Sequence, residues 1–219
     1  YIRLYPFLMG KIKVIYNGFD EDDFKNYKKE YVKSDYLNIA YLGTIYNSKR
    51  NPENFFKAIS ILNEDPEYKN KIKLAFIGHD SYILKKFIKK YHLNTFVKII
   101  KRIPHQDLFN KLNGYDCFLL IIGKVNIISG KIFEYLRLQK PIFALGKKEF
   151  EVAQIIKKTD SGVIVDISDI NEIVSTLKQF IEMKKKNSFN NKFSFIKEEI
   201  DKFDRKYLTE QLVKIILNE

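Results

Sequence analysis

The sequence has little cysteine, little arginine and no long apolar segment. Cys117 is the one cysteine among 219 residues, so neither an internal disulfide framework nor a cysteine-based zinc site is expected. Cys117 also begins the longest uncharged apolar run, which is six residues long and ends at Ile122. A membrane-spanning helix needs about 20 such residues. The sequence therefore excludes a disulfide scaffold and predicts no membrane span.

The charge balance is strongly basic, but it says little about partners. The chain carries 39 basic and 27 acidic residues, a net charge of +12, and only five of the basic residues are arginine. Abundant Lys, Ile, Asn and Tyr can reflect genome composition as much as selection for a polyanion. The lysines are spread over many segments and are not gathered with aromatics on one stripe, so no nucleic-acid partner is expected. A 45% hydrophobic content is enough to bury a core and excludes a disordered chain.

Short apolar runs alternate along the chain with segments of helical spacing. Most of these runs are apolar throughout, which is typical of strands buried on both faces of a parallel sheet. The pattern predicts an α/β fold: a doubly wound, mostly parallel sheet with helices on both faces. The predicted strands are residues 38–42, 72–77, 97–100, 116–122, 141–145 and 162–167, and the predicted helices are 52–63, 81–91, 106–113, 131–138, 149–158 and 169–185.

The two ends of the chain depart from this alternation. Residues 1–37 hold one strand-like piece at 13–16 and are interpreted as a lead-in or interdomain segment. Residues 38–185 are predicted to form the binding domain. A polar break then precedes a long amphipathic helix predicted over 195–217, so residues 186–219 are interpreted as a C-terminal helical extension. Because the chain begins with Tyr1, we expect that upstream sequence is missing.

The loop after the first strand contains a candidate anion site. In open parallel sheets, ligands bind outside the carboxyl ends of the strands. Lys49 and Arg50 directly precede Asn51 and Pro52, which are a good N-cap and a good first helical residue. Free N–H groups at a helix start favour an anion, and a guanidinium matches phosphate oxygens. The alternative is a solvated Lys-Arg pair at a loop tip, and this segment alone does not separate the two.

A second candidate site follows the fourth strand. Ser129 and Gly130 predict a tight turn into a helix that begins at Lys131, with Glu134 one turn further on. Backbone amides and the Lys131 ammonium suit phosphates, and a carboxylate can accept both hydroxyls of a ribose. The alternative is that Glu134 completes a capping box, but that motif needs Ser or Thr where this chain has Lys131. The pattern therefore favours a binding role.

Other residues and motifs that could carry chemistry give no support for a metal site or for three common classes of enzyme. His79, His92 and His105 are not at metal-ligand spacing, so neither a metal nor another cofactor is expected. His105 is interpreted as a turn or cap residue. The sequence contains no Gly-x-Gly-x-x-Gly fingerprint, no P-loop and no Gly-x-Ser-x-Gly elbow, which disfavours NAD enzymes, P-loop NTPases and α/β-hydrolases.

Several short motifs occur in an order and spacing that are familiar. Together they resemble the C-terminal half of GT-B glycosyltransferases, in particular the retaining enzymes of the glycosyl transferases group 1 kind that build bacterial capsule, O-antigen and lipopolysaccharide. The resemblance covers roughly residues 11–185 and implies a Rossmann-like donor-binding half. The motifs are residues 14–20, 41–44, 76–78, 115–117, 130–136 and 140–142.

The resemblance assigns roles to individual residues. Glu134 matches the glutamate that binds the ribose hydroxyls. Ser129, Gly130 and Lys131 match the turn that cradles the phosphates, and Arg50 falls where a basic residue contacts the diphosphate. By this resemblance Arg50 and Lys131 are the candidate catalytic residues, because they would stabilise the leaving group.

Further donor contacts are implied around the same cleft. Ile103 lies in the stretch that matches the loop lining the base, and Gly43 and Thr44 follow the first strand. Two positions depart from the family pattern: Asn126 stands where the first of two paired glutamates is expected to touch the sugar, and Thr44 stands where an arginine is frequent. These departures leave the sugar and the stereochemical outcome open.

The resemblance also implies partners and a location. The donor would be a UDP- or GDP-sugar, used without a metal, and the acceptor a polysaccharide or lipid-linked sugar. A missing N-terminal domain would hold the acceptor, so this chain would be inactive alone. The location would be cytoplasmic, compatible with peripheral contact at the inner face of the membrane. Two alternatives remain: a GT-B sugar-nucleotide epimerase, and a non-enzymatic basic α/β module that binds nucleic acid or an anionic membrane.

Overall fold

A six-stranded, entirely parallel sheet forms the centre of the molecule. The computed structural model describes residues 2–28, 30, 34–45, 51–79, 81–123 and 126–217. The strand order is β3-β2-β1-β4-β5-β6, and each neighbouring pair is parallel. The strands are β1 (Leu37–Leu42), β2 (Ile72–Ile77), β3 (Val97–Ile100), β4 (Cys117–Ile121), β5 (Ile142–Leu145) and β6 (Gly162–Val165).

Helices connect the strands and cover both faces of the sheet. The predicted α/β, doubly wound, Rossmann-like fold is confirmed, and the predicted strand bounds agree with the observed ones to within two residues. In the described residues the helices are α1 (Glu53–Glu64), α2 (Tyr82–Lys90), α3 (His105–Leu112), α4 (Lys131–Leu138), α5 (Glu151–Lys158), α6 (Ile170–Lys185), α7 (Phe189–Lys192), α8 (Lys197–Asp201) and α9 (Arg205–Leu217), with a short 3-10 helix at Pro6–Leu8 and another at Glu21–Phe24.

The core has two layers because successive strand residues point to opposite faces. Along β1, Ile39 and Tyr41 belong to the layer beneath α1, α2 and α6, whereas Ala40 and Leu42 belong to the layer beneath α3, α4 and α5. All four are buried. A strand that is buried on both faces has no polar side to present, which is why the strand segments are apolar throughout.

Two predicted elements at the ends differ from the structure. The strand expected at 13–16 is wrong, since these residues lie outside any sheet and Val14 is exposed. The continuous helix expected over 195–217 is also wrong, because the chain breaks between α8 and α9. At that break Phe19 N–H donates to the Phe203 carbonyl, and Arg205 N–H donates to the Phe19 carbonyl, both at 3.0 Å. These backbone groups cannot also continue a helix.

Large apolar side chains stay exposed at the two ends of the described chain. This set contains Leu4, Phe7, Met9 and Val14 in the N-terminal segment, and Leu212, Val213, Ile216 and Leu217 on α9. The apolar face predicted for the C-terminal extension therefore has no cover within the described residues. None of the helices described is both long and apolar enough to cross a lipid bilayer.

Candidate functional site

The strand order reverses between β1 and β4, and in open α/β sheets the crevice outside the carboxyl ends of the strands at such a point is where ligands bind. β1 pairs with β2 as far as Leu42, but its pairing with β4 ends at Ala40 and Phe118. Tyr135 fills the gap. The Leu42 N–H donates to its hydroxyl at 3.0 Å, and the hydroxyl donates to the Leu119 carbonyl at 3.5 Å.

Gly43 and Lys131 meet across this crevice. Gly43 follows β1 with φ of +112°, a backbone conformation that disfavours any residue with a Cβ. A Cβ built on Gly43 would lie 2.2 Å from Nζ of Lys131. The same Nζ stands 5.0 Å from the centroid of the Tyr41 ring, an attractive cation–π distance. The glycine thus leaves the space that the Lys131 ammonium occupies.

The turn before α4 has the predicted form. Gly130 is the N-cap, and the amides of Ile132 and Phe133 donate to the carbonyls of Ser129 and Gly130 at 3.1 Å. N–H groups at the start of a helix carry partial positive charge. Asn17 lies beside this turn, with its amide nitrogen 3.4 Å from the Cβ position of Gly130.

Glu134 lies one turn into α4, with 28% of its side chain exposed. Burial raises the pKa of its carboxyl, and Asp23 raises it further, while His105 and Lys131 lower it. Charge on a partly buried carboxylate is costly unless cations or donors face it. A ligand that donates two hydroxyl hydrogens would supply such donors.

His105 lies between two carboxylates and was not predicted as a site residue. Its Nε2 lies 3.6 Å from Oε1 of Glu134, and its Nδ1 lies 3.5 Å from Oδ1 of Asp23. The ring also contacts Phe109 edge-on, with centroids 5.0 Å apart. His105 begins α3 directly after the loop that follows β3, so the same rule about strand ends could have found it. No sequence pattern pointed to Asp23, because it reaches His105 only through the path of the N-terminal segment.

The remaining predicted site residues lie at several places. Thr44 is half-buried, and its carbonyl accepts from the Tyr41 hydroxyl at 3.3 Å. Ile103 is half-buried and packs on the core layer beneath α4. The Asn126 side-chain oxygen accepts from the Glu151 N–H at 3.2 Å, so Asn126 caps the start of α5. Arg50 falls outside the described residues.

This constellation can hold a phosphate ester of a sugar. A helix start and an ammonium favour an anion, and a carboxylate one turn away favours a pair of hydroxyls. In the described residues, no group of three or more His, Cys, Asp or Glu side chains is placed to hold a metal ion. The expectation that the chain needs no metal remains a prediction.

Fold and crevice together define a doubly wound, Rossmann-like α/β protein of the kind that forms one half of GT-B glycosyltransferases. The model of the family described as glycosyl transferases group 1 matches residues 22–193. This match covers most of the chain, which therefore belongs to that family. A search of curated proteins finds no match to the sequence.

Solved structures share the fold. Sucrose-phosphate synthase from Thermosynechococcus elongatus superposes with a TM-score of 0.71 at 13% identity, covering 99% of this chain and 56% of that one. A glycosyltransferase from Rickettsia africae gives 0.71 at 15% identity, covering 94% and 56%. Anabaena Alr3699/HepE, solved in complex with UDP and glucose, gives 0.68 at 13% identity, covering 94% and 57%. The chain thus spans little more than half the length of each.

Proposed function

We propose that this chain binds a nucleoside diphosphate sugar, in particular a UDP- or GDP-sugar, and is the donor-binding part of a retaining glycosyltransferase. The observation that carries the proposal is the contact of Gly43 with Lys131 across the crevice, with Glu134 one helical turn away. A diphosphate and a ribose in a nucleotide are adjacent, and the groups suited to each are adjacent here. Family membership and the UDP bound by Anabaena HepE support the same assignment.

In this proposal each residue has one task. Lys131 and the amides of the turn at Ser129 and Gly130 receive the diphosphate, and Glu134 accepts the two ribose hydroxyls. Ile103 lines the base. Arg50 is assigned to the diphosphate from its sequence position alone.

Transfer would need stabilisation of the leaving group. As the glycosidic bond breaks, negative charge grows on the diphosphate and the sugar gains oxocarbenium character. Fixed donors that face developing charge lower such barriers, and in this proposal Lys131 and the helix start do so without a metal. An acceptor hydroxyl would attack from the side of the leaving group. Asn126 offers an amide where the family has a carboxylate, and its oxygen already caps α5.

The acceptor part is proposed to be a separate N-terminal domain, so the chain alone binds the donor but transfers nothing. The exposed apolar side chains of α9 and the N-terminal segment support a covering partner. We further propose that the complete enzyme is a bacterial cytoplasmic hexosyltransferase of polysaccharide or lipid-linked sugar synthesis, with peripheral contact to the inner face of the membrane.

Calorimetry on the 219-residue chain tests donor binding. UDP and GDP are titrated into the wild type, E134A and K131A. Because each hydrogen bond to a charged group contributes about 1.5–3 kcal/mol, either substitution is expected to weaken binding by about tenfold or more.

Matched controls are E64A and K157A, which remove exposed charges from α1 and α5. Both controls should bind like the wild type. No binding of either nucleotide by the wild type at millimolar concentration would refute the proposal. Salt-dependent binding of DNA or anionic vesicles, with no nucleotide binding, would support the basic-module alternative instead.

A further inference from the structure

His105 has a carboxylate at each of its two ring nitrogens. Asp23 faces Nδ1 at 3.5 Å and Glu134 faces Nε2 at 3.6 Å. A neutral imidazole donates from only one nitrogen, whereas the imidazolium donates from both. Both ring nitrogens of His105 therefore face a carboxylate, and one of these carboxylates is that of Glu134.

The position of Asp23 is fixed by packing. Asp23 belongs to the 3-10 helix Glu21–Phe24, in which Phe24 is buried and stacks on Phe109 with ring centroids 4.1 Å apart. The His105 ring packs on another side of the same Phe109. One aromatic ring of α3 thus supports both the helix that carries Asp23 and the imidazole that faces it.

Two further charges attach this short helix to α4. Arg137 lies one turn beyond Glu134, and its Nε and Nη2 contact the two carboxylate oxygens of Glu21 at 2.5 and 2.9 Å. Its guanidinium also lies over the Phe24 ring, 5.0 Å from the centroid. A bidentate pair of this kind fixes orientation as well as distance. The short helix, α3 and α4 therefore hold Asp23, His105 and Glu134 in one arrangement.

The charged groups that act on the Glu134 carboxyl come from three elements. His105 and Lys131 lower its pKa, and Asp23 raises it. Burial is the largest influence and raises the pKa, so an ionised Glu134 depends on these cations. Lys131 is the group assigned to the phosphates, which leaves His105 as the cation assigned to Glu134 itself.

We propose that His105 is a positioning residue of the nucleotide site, holding Glu134 ionised and oriented so that ribose binding depends on the charge of the imidazole. This inference rests on the proposed function. It assigns to the segment of residues 17–28 a part in the site, because Asp23 completes the arrangement.

The first test measures the coupling without a nucleotide. The carboxyl carbon of Glu134 is followed by NMR as pH changes in the wild type, H105Q, H105N and H92Q. His92 is an exposed histidine at the end of α2 and serves as the matched control. The pKa of Glu134 should rise in both His105 variants and stay unchanged in H92Q. An unchanged titration in folded H105Q and H105N would overturn the proposal.

The second test measures UDP and GDP binding at pH 6 and pH 8. Because His105 is half-exposed, H105Q and H105N are expected to bind the nucleotides about two- to fivefold more weakly than the wild type at pH 6. This is the range measured for exposed ion pairs. At pH 8 the loss of affinity should be smaller, because a higher pH favours the ionised form of Glu134 in every variant. An equal loss at both pH values would indicate a purely structural role and overturn the proposal. If the wild type binds no nucleotide while the NMR coupling is present, the proposed function fails and the coupling stands.

Discussion

The hydroxyl of Tyr135 is expected to contribute directly to stability, because it completes the hydrogen bonding where the sheet divides. Along β1 the N–H groups alternate in direction: those of Leu37 and Gly43 donate towards β2, so that of Leu42 faces β4. Pairing with β4 has ended by then, and Leu42 is buried. Its N–H donates to Tyr135, which is itself fully buried. Without the hydroxyl this amide has no partner.

The substitution Y135F removes the oxygen and keeps the ring that stacks on Phe118 with centroids 4.5 Å apart. An unsatisfied buried amide costs about 1–3 kcal/mol. The second bond, to Leu119, is long at 3.5 Å and adds little. We therefore expect the free energy of unfolding to fall by about 1–3 kcal/mol, and Tm to fall by about 2–4 °C for each kcal/mol.

Urea denaturation followed by circular dichroism measures this loss, and hydrogen exchange reports on the Leu42 amide. Y82F is the matched control, because Tyr82 is 82% exposed and its change should stay within about 0.5 kcal/mol. Leu42 should exchange faster in Y135F and not in Y82F. Equal stability of the two variants, with unchanged protection of the Leu42 amide, would refute the conclusion that the Tyr135 hydroxyl satisfies this amide where β1 and β4 separate.

Two further predictions concern the crevice. G43A should lower the free energy of unfolding by about 1–3 kcal/mol, because φ is +112°. It should also displace the Lys131 ammonium and so weaken UDP binding to the level of K131A. Binding losses that add in the G43A/K131A double variant would contradict this prediction. Since burial raises the pKa of Glu134 in the folded state above its unfolded value, its ionised form destabilises the fold at neutral pH. E134Q should therefore be more stable than the wild type in urea denaturation at pH 7, and the difference should disappear below about pH 4. Equal stability of the two proteins at pH 7 would contradict this prediction.

Much of the fold could be predicted because burial on both faces leaves an unambiguous sequence pattern. Residues 117–121 are apolar at every position, and the structure buries all of them. The start of α4 was equally predictable, since Ser129-Gly130 before an amphipathic stretch indicates where a helix begins. Strands and helix starts of this kind depend on local sequence, so the sequence alone carried the information.

Other features depend on contacts between distant segments, and local pattern could not show them. The apolar spacing of 195–217 is helical throughout, yet Phe19 pairs with the backbone at Phe203 and Arg205 and interrupts the helix. Asp23 likewise reaches His105 only because Phe24 packs on Phe109. In both cases the N-terminal segment, which the sequence marks as a mere lead-in, decides the outcome.

Neighbouring residues of α4 serve the candidate site and the fold, and the register of the helix allows both. Lys131 and Tyr135 are four residues apart and so lie on one side of the helix, where one contacts the end of β1 beside Gly43 and the other closes the gap between β1 and β4. Glu134 precedes Tyr135 by about 100° of rotation, which brings it beside His105 at the edge of the crevice. A shift of one residue would remove the ammonium from the crevice and the hydroxyl from Leu42 together. The proposed binding and the fold are therefore coupled through the start of this helix.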